Sequence, residues 1–258
     1  MCTDPRRLIL VPTLNEKDNV ERVLRAIARC LPDADVLVVD DDSPDGTPEV
    51  VESLQAELPR VRLLVRSGRA AGLGLSVRDG YRHALDHGYD EVCIVDGDLQ
   101  QDPADVPWLR RAHPDADVVI GSRYCGGAGF ARGRRVSRWT SILGNAVVRL
   151  LFRLPFRDAT TDFYIVTAGV LRRFRPEALR SQGYALFFEL KARAWKAGFR
   201  VVEEPVRTFE RRGGASHRTW RQVRLFAREV FAVWADLFLS SRAGAAGEES
   251  HVREGDLL

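Results

Sequence analysis

The chain has few cysteines, no signal peptide and no long hydrophobic run, and each absence excludes a class of protein. The four cysteines include no C-x-x-C pair, and so few in 258 residues do not indicate a disulfide scaffold. Residues 1–15 lack the apolar core of a secretory signal peptide. The apolar stretch 230–239 has about half of the ~20 residues needed to span a bilayer, and it contains Asp236. We therefore expect a cytoplasmic protein that is at most peripheral at the cytoplasmic face of the membrane.

A strong charge of one sign is also missing. The formal net charge of +3 is too small to indicate bulk nucleic-acid binding, so no nucleic-acid partner is predicted. The charges are nevertheless unevenly placed. Acidic residues concentrate in the first half of the chain, and arginines concentrate in residues 131–138 and 207–228. This distribution suits a protein that binds a metal ion and an anionic partner together.

Apolar runs alternate with amphipathic segments through the first 121 residues. The runs predict strands at 8–11, 36–39, 61–65 and 118–120 and a strand ending at Asp96, and the segments predict helices at 16–30, 48–58 and 75–87. This alternation predicts an α/β fold with a doubly wound, mostly parallel sheet. Ligands bind such sheets at the carboxyl ends of the strands, where the acidic residues fall.

Beyond Gly121 the chain is richer in helical patterns. We predict helices at 139–152, 187–197 and 220–237, a strand at 163–166, and a strand pair or extended edge at 201–209. Residues 1–240 are predicted to form a single domain with two halves, 1–121 and 122–240. Residues 241–258 are rich in glycine, alanine and charge, which predicts a disordered tail.

Asp96 and Asp98 follow the fourth predicted strand. Like charges repel at close range, yet residues i and i+2 of an extended segment point the same way. Mg²⁺ and Mn²⁺ prefer such carboxylate oxygens and often share them with substrate phosphates. A D-x-D pair alone is more often an exposed acidic turn. Its place at a strand end, directly before Leu99 and Gln100, favours a metal site.

Residues 11–16, V-P-T-L-N-E, end the first predicted strand. Pro12 fixes the exit of the chain, and the Asn15 side chain could cap the helix that follows. Glu16 would also interact favourably with the dipole of that helix. Capping and dipole effects explain these residues without a ligand, so a functional role remains one of two alternatives.

Residues 38–47, V-V-D-D-D-S-P-D-G-T, end the second predicted strand. The turn chemistry of S-P-D-G explains residues 43–46 but does not explain three consecutive aspartates. A carboxylate at the end of this strand, such as Asp40, is well placed to accept hydrogen bonds from the base or ribose of a nucleotide.

Five motifs, taken in order, resemble the family 2 glycosyltransferases of GT-A (Rossmann-like) fold. They are P-T-x-N-E, V-D-D-x-S-P-D-G-T, G-L-G, D-x-D-L-Q and G-S-R-Y. Within that family the chain most resembles dolichol-phosphate mannose synthase and its bacterial polyprenyl-phosphate relatives. The resemblance covers about residues 8–217 and implies a nucleotide-sugar-binding half at 1–121 and a helical, acceptor-side half at 122–240.

The resemblance also implies the ligands and the site. It implies an inverting transfer of a sugar, with mannose from GDP-mannose as the first candidate, to a polyprenyl or dolichyl phosphate. It implies Mg²⁺ or Mn²⁺ at Asp96 and Asp98, with Gln100 nearby. The implied nucleotide-sugar contacts are Pro12, Asn15, Glu16, Asp40, Asp41, Gly74, Asp96 and Gln100. The oligomeric state is not predicted.

The later motifs depart from the family pattern. Asp162 stands where the family has glycine, and His217 stands where it has lysine. The segment F-E-R-R-G-G-A-S-H at 209–217 is one residue shorter than the family motif, so Arg211 and Arg212 both match its single arginine. These departures leave open a family 2 enzyme with a non-lipid acceptor, such as a glycan or a natural product.

The chemistry of the implied reaction assigns roles to basic residues. A nucleoside diphosphate gains negative charge as it leaves, and a metal ion with nearby arginines stabilises that charge. Arg123, Arg211 and Arg212 are the predicted catalytic arginines beside Asp96 and Asp98. Arg134, Ser137, Arg138 and His217 are the predicted contacts of the acceptor phosphate. A solvated basic loop is the alternative reading of residues 131–138.

Two other classes of protein remain as alternatives. A nucleotidyltransferase would carry an early glycine- and arginine-rich phosphate loop, which residues 8–16 lack. A catalytically silent binding module would not need the full set of carboxylates. For a lipid acceptor, the arginines and aromatic residues from Trp220 onward suit a membrane surface, although that helix could equally pack on the core.

Overall fold

A mostly parallel sheet forms the centre of the protein in a computed structural model, which describes residues 5–98, 100–126, 128–130, 135–209 and 220–248. The strands are β1 (Arg7–Thr13), β2 (Asp35–Asp40), β3 (Val61–Val65), β4 (Glu91–Ile94), β5 (Val118–Ser122), β6 (Gly129–Phe130), β7 (Tyr164–Thr167), β8 (Val201–Pro205) and β9 (Arg207–Thr208). Seven of them form one sheet in the order β3-β2-β1-β4-β7-β5-β8, in which only β7 is antiparallel to its neighbours. Strands β6 and β9 form a separate parallel pair.

Helices cover both faces of this sheet. They are α1 (Lys17–Cys30), α2 (Thr47–Leu54), α3 (Leu73–Asp86), α4 (Asp105–Ala112), α5 (Arg135–Phe152), α6 (Ala168–Phe174), α7 (Ala185–Lys196) and α8 (Trp220–Glu248). Alternate residues of β1 enter two different cores, with Leu8 and Leu10 on one face and Ile9 and Val11 on the other. A strand buried on both faces has a continuous apolar sequence, which is the pattern that predicted the parallel sheet. The predicted α/β fold is confirmed.

Strand β6 was not predicted from the sequence, and three helices differ most from the prediction. Helices α4 and α6 were not predicted, because α4 buries only Val106 and Leu109 and α6 has only seven residues, too few for a clear helical period. Helix α8 continues to Glu248, although residues 241–258 were predicted to be a disordered tail. An established helix extends cheaply through alanines, and 241–248 contains three of them. Residues 249–258 lie outside the described residues.

The carboxyl ends of β1, β2 and β4 meet at one edge of the sheet. Thr13, the last residue of β1, pairs with Asp40, the last residue of β2, and Leu10 of β1 pairs with Ile94 of β4. From β1 the chain proceeds to β2 and β3 on one side and later returns to β4 on the other side. Such a reversal opens a crevice between the loops after β1 and β4, and this is where doubly wound sheets bind ligands. Asp96 and Asp98 follow β4 at this crevice.

None of the helices in the described ranges is long and apolar enough to cross a membrane.

Helix α3 packs so closely on β1 that Gly80 has no room for a side chain. A Cβ atom there would lie 2.6 Å from Cδ2 of the fully buried Leu10. We expect Gly80→Ala to lower the free energy of unfolding by about 1–3 kcal/mol through overpacking, more than the ~1 kcal/mol that alanine gains over glycine in a helix. Gly144→Ala in α5 is the matched control, since no heavy atom lies within 4 Å of its added Cβ, and it should be neutral or stabilising. Urea unfolding of both variants checks the expectation, and equal effects would contradict it.

Candidate active site

Asp40 fixes the loop that follows β2. Its fully buried carboxylate accepts hydrogen bonds from Thr13 Oγ1 at 2.7 Å, from the Ser43 backbone N–H at 2.7 Å and from Ser43 Oγ at 2.8 Å. These three bonds join the end of β1 to the end of β2 and to the turn after it. The carboxylate predicted to contact a nucleotide is therefore engaged in shaping the floor of the crevice.

Asp41 connects the same loop to the glycine motif at 72–74. One carboxylate oxygen accepts a hydrogen bond from the backbone N–H of Gly72 at 2.6 Å, and the other forms an ion pair with the buried Arg66. Arg66 also donates to Asp79 at 2.9 Å. Asp41 thus holds the glycine motif at the start of α3, which we call the 72–74 loop, against the carboxyl edge of the sheet.

Gly74 was predicted to contact the nucleotide, and its immediate neighbour is protein backbone. A Cβ atom on Gly74 would lie 2.6 Å from the carbonyl carbon and oxygen of Gln182 and 2.8 Å from the carbonyl oxygen of Gly183. Glycine is needed here because the backbone of residues 182–183 approaches so closely.

Asn15 turns the chain instead of capping the helix. It has the left-handed φ of 58°, and its backbone N–H donates to Ser43 Oγ at 2.9 Å. Helix α1 begins two residues later, at Lys17, whose backbone N–H donates to Asp45 Oδ2 at 3.1 Å instead of to Asn15. The predicted cap is therefore wrong, because the left-handed turn directs the backbone of 15–16 toward the 43–47 turn. There the Glu16 N–H donates to Thr47 Oγ1 at 3.0 Å.

The D-x-D segment packs directly on residues 12–16. A Cβ atom on Gly97 would lie 3.3 Å from both Glu16 Cγ and Thr13 Cγ2 and 3.6 Å from the Pro12 carbonyl oxygen. The residues predicted from two separate motifs, Pro12 and Glu16 after β1 and Asp96 and Asp98 after β4, therefore line one crevice.

Gln101 and Asp162 join the aspartates. Gln101 accepts a hydrogen bond from the Asp96 backbone N–H at 3.0 Å and donates through Nε2 to Asp162 Oδ1 at 2.5 Å. Burial raises the pKa of the Asp96 carboxyl well above its usual value, and the charges of Asp162 and Asp98 raise it further, together with a hydrogen bond to Asp162. The carboxylates of this crevice therefore disfavour one another's charged forms.

This donor set fits a divalent cation that is completed by a substrate. Asp98 is buried, and Asp96 and Asp98 supply the hard oxygens that Mg²⁺ and Mn²⁺ prefer. Within the described ranges, no three Asp, Glu, His or Cys side chains form a group that could hold a metal ion. Two carboxylates with the phosphates of a substrate are the usual arrangement for Mg²⁺, so a nucleoside diphosphate would supply the remaining ligands.

A comparison with known proteins identifies the family of the chain. The profile described as glycosyl transferase family 2 matches residues 8–178 of the chain. The chain is a family 2 glycosyltransferase. The recognition from sequence motifs is confirmed, and so is the enzyme class.

Two curated relatives of this glycosyltransferase cover most of the chain. An undecaprenyl-phosphate mannosyltransferase of Micrococcus luteus is 34% identical over 211 residues, which are 82% of this chain and 86% of the relative. A polyprenol monophosphomannose synthase of Mycolicibacterium smegmatis is 33% identical over 222 residues, which are 85% of this chain and 83% of the relative.

Solved structures confirm the GT-A fold of the glycosyltransferase. Glucosyl-3-phosphoglycerate synthase from Mycobacterium tuberculosis, in complex with Mn²⁺, UDP and phosphoglyceric acid, superimposes with a TM-score of 0.65 at 18% identity, covering 90% of this chain and 78% of the other. The same enzyme with Mg²⁺ and UDP gives a TM-score of 0.63 at 19% identity, covering 90% and 79%. At this identity the match concerns the fold alone.

Arg123 of the glycosyltransferase lies after β5, as predicted, but its guanidinium is held by a carboxylate. Nε and Nη2 donate to the two oxygens of the fully buried Asp158 at 2.7 and 2.8 Å, and the Arg123 backbone N–H donates to the same carboxylate at 3.0 Å. A bidentate pair of this kind fixes both partners. Arg123 therefore anchors the 158–162 segment, which carries Asp162.

Lys191 is a buried cation beneath the same segment. Its side chain is fully buried in α7, and its ammonium donates to the Thr161 carbonyl oxygen at 2.5 Å and lies 4.8 Å from the centre of the Tyr164 ring. Burial lowers the pKa of Lys191 to about 7, and the neighbouring Asp158 and Asp162 offset part of this effect. The lysine holds the backbone next to Asp162.

Gln101, Asp158 and Lys191 are site residues that the motif analysis missed. Lys191 shares a helix face with Phe187 and Phe188, four and three residues earlier, and both are fully buried. A lysine on an otherwise apolar face is the signal that could have identified it.

The remaining predicted residues reach the limits of the described structure. The backbone carbonyl of Gln100 accepts a hydrogen bond from the Phe209 N–H at 2.8 Å, so the 209–217 segment begins beside the D-x-D segment. Ser137 and Arg138 belong to α5, but their side chains are outside the described part. Arg134, Arg211, Arg212 and His217 lie outside the described residues, and their roles stay predictions.

Lys191→Met is expected to remove a pH-dependent contribution to stability. The pKa of Lys191 falls from 10.5 to about 7 on folding, so between these values the unfolded chain binds a proton that the folded chain does not. Stability therefore rises with pH across this window in the wild type, and the variant lacks this contribution. The measurement is urea unfolding of both proteins between about pH 7 and about pH 9.5. Parallel stability curves for the two proteins would contradict the lowered pKa.

Proposed function

We propose that this glycosyltransferase moves a sugar, with mannose from GDP-mannose as the first candidate, to a polyprenyl phosphate with inversion at the anomeric carbon. The observation that carries the proposal is the 34% identity over 82% of the chain to an undecaprenyl-phosphate mannosyltransferase. The acidic crevice between β1 and β4 supports it, because a divalent cation placed between the carboxylates and the diphosphate of a donor would attract both.

The donor half of the proposal rests on the residues around the crevice. Asp96 and Asp98 are the proposed metal ligands, and Gln100 is a neighbour of the donor. A bound Mg²⁺ or Mn²⁺ would act as a Lewis acid on the leaving diphosphate. Pro12, Asn15 and Glu16 form the wall opposite the D-x-D segment and are proposed to contact the nucleotide. Asp40 and Asp41 act on the donor by fixing the loops around it.

The acceptor half of the proposal follows from charge. A phosphate oxygen of the acceptor attacks the anomeric carbon, and the bond from that carbon to the diphosphate breaks with its electron pair on the diphosphate. An acceptor phosphate is already an anion near neutral pH, so no proton has to be removed. Arg211 or Arg212 is proposed to stabilise the leaving diphosphate. Arg134, Ser137, Arg138 and His217 are proposed to hold the acceptor phosphate.

Asp98→Asn should lower kcat/KM for metal-dependent sugar transfer on the order of 100-fold, because it removes a charged metal ligand while conserving shape. Asp102→Asn is the matched control, four residues later on the same loop, where the carboxylate accepts a hydrogen bond from the Ala104 N–H at 3.0 Å. It should retain nearly full activity. The assay follows radiolabelled mannose from GDP-mannose into a polyprenyl phosphate with Mg²⁺ or Mn²⁺. Full activity of Asp98→Asn would refute the metal assignment.

We propose that the enzyme acts at a membrane surface and contacts it through helix α5. Leu143, Val147 and Leu150 are 65%, 53% and 83% exposed, and their spacing of four and three residues puts them on one face of the helix. The opposite face buries Val148 and Phe152. An exposed apolar stripe next to a basic segment, here 131–138, suits the surface of an anionic bilayer.

Helix α8 contributes less to this surface than its aromatic content suggests. Phe226, Trp234 and Phe238 pack against the hydrophobic core, whereas Leu225 and Phe231 are 46% and 64% exposed. Most of its apolar face therefore stabilises the fold, which was one of the two alternatives for this helix.

Leu143→Ser, Val147→Ser and Leu150→Ser, made together, should reduce cosedimentation with anionic vesicles at low salt, because they remove apolar area without changing charge. A double variant, Trp108→Ser and Trp195→Ser, removes exposed aromatics elsewhere, 49% and 39% exposed, and should bind like the wild type. If both variants bind as the wild type does, α5 is not the contact.

A non-lipid acceptor remains the second candidate. It is favoured by Asp162, a carboxylate beside Asp96 at the position where the family has glycine. A hydroxyl acceptor needs a base, and a phosphate acceptor does not. Assays with soluble sugars as acceptors distinguish the two candidates.

A further inference from the structure

The turn at residues 180–183 lies between α8 and the 72–74 loop. It presents four consecutive backbone N–H groups to two glutamates. Glu189 of α7 accepts from Arg180 and Ser181 at 3.1 and 2.9 Å, and Glu229 of α8 accepts from Gln182 and Gly183 at 2.9 and 3.3 Å. A row of N–H groups is an anion-binding arrangement, and here protein carboxylates fill it.

The carbonyl side of this turn supports the 72–74 loop. Cβ atoms on Gly72 and Gly74 would lie 3.1 and 2.6 Å from the Gln182 carbonyl oxygen. No side chain fits between the two segments, so a shift of the turn shifts the loop. On its other side the loop is held by the hydrogen bond from the Gly72 N–H to Asp41 at 2.6 Å. The loop is therefore fixed from β2 on one side and from α8 on the other.

Asp236 is a second acidic residue of α8, and its contacts differ from those of Glu229. Asp236 forms ion pairs with Arg193 at 2.6 Å and with Arg180 at 2.8 Å. These bonds attach α8 to α7 and to the first residue of the turn, and neither involves the backbone of 182–183. Glu189 is fully buried and also bonds to Arg193, so its replacement would disturb the core. Glu229 is only partly buried, and it alone of these acids bonds to the backbone that touches the 72–74 loop.

We propose that Glu229 is a positioning residue for the donor nucleotide. It fixes the backbone of 182–183, this backbone fixes the 72–74 loop, and the loop forms part of the nucleotide site. The proposal rests on the proposed function for one point only, that the donor nucleotide contacts Gly74 in the 72–74 loop, as the family resemblance implies. Glu229 itself does not touch the donor.

The test is the affinity for GDP and UDP with Mn²⁺, measured by isothermal titration calorimetry on the full chain. Glu229→Ala should weaken binding of the preferred nucleotide about fivefold to tenfold, which is about 1–1.4 kcal/mol. Asp236→Ala is the matched control, because it breaks the ion pairs of α8 with Arg180 and Arg193 and leaves the 182–183 backbone bonds in place. It should lower the melting temperature without changing nucleotide affinity.

Hydrogen–deuterium exchange separates positioning from a general loss of stability. Glu229→Ala should speed exchange of peptides covering 70–76 and 181–184 and leave peptides from β1 and β4 unchanged, whereas Asp236→Ala should not affect 70–76. In steady-state transfer, Glu229→Ala should raise KM for the donor and leave kcat within about twofold, the pattern of lost ground-state binding.

These measurements distinguish a failure of this inference from a failure of the proposed function. If the wild type binds neither nucleotide with Mn²⁺, the proposed function fails and this inference fails with it. If the wild type binds and Glu229→Ala binds equally well, only the positioning role is overturned. Should Glu229→Ala fail to fold, Glu229→Gln replaces it. Glutamine keeps one acceptor oxygen and loses the charge, so affinity should fall about twofold to threefold at a near-native melting temperature, and unchanged affinity overturns the role.

Discussion

Mutual repulsion of carboxylates at one edge of the sheet is the constraint on which the site depends. Asp96, Asp98 and Asp162 are brought together by β4 and by the segment before β7, and the charges of Asp98 and Asp162 raise the pKa of Asp96 beyond the effect of its burial. Holding like charges together costs free energy unless a bound cation offsets it. The surrounding contacts serve to hold them there. Gln101 bonds to two of the three, and Lys191 and Arg123 anchor the segment that carries the third.

Two acidic residues at this edge, Asp40 and Asp41, have structural roles in the loops that border the crevice. Asp40 gathers the ends of β1 and β2, and Asp41 holds the 72–74 loop through Gly72 and Arg66. Both carboxylates are buried and hydrogen-bonded within the protein. Their bonds fix the loops that border the proposed donor site, which is how a site is held in shape before its ligand binds.

The fold and the centre of the site could be predicted from the sequence because both depend on local patterns. Apolar runs determined the strands, and Asp96 and Asp98 follow one of these strands directly. The remaining features depend on contacts between distant residues. Lys191 bonds to a carbonyl 30 residues earlier, and Gln101 bonds to a carboxylate 61 residues later. The left-handed conformation of Asn15 depends on the turn at 43–47, and no helix-cap rule includes that turn. Helix α4 buries too few residues, and helix α6 is too short, for a helical period to appear.

The two glutamates at the 180–183 turn have a further consequence for an enzyme that binds phosphates. Four adjacent N–H groups in one turn would themselves attract an anion such as a diphosphate. Only the 72–74 loop separates this row of N–H groups from the proposed donor site. Without the two glutamates, the row would compete with that site for the diphosphate. Because Glu189 and Glu229 occupy it from within the chain, the row is closed to outside anions, and the crevice between β1 and β4 has no rival there. The two glutamates thus do for this turn what a bound anion would do, from within the chain.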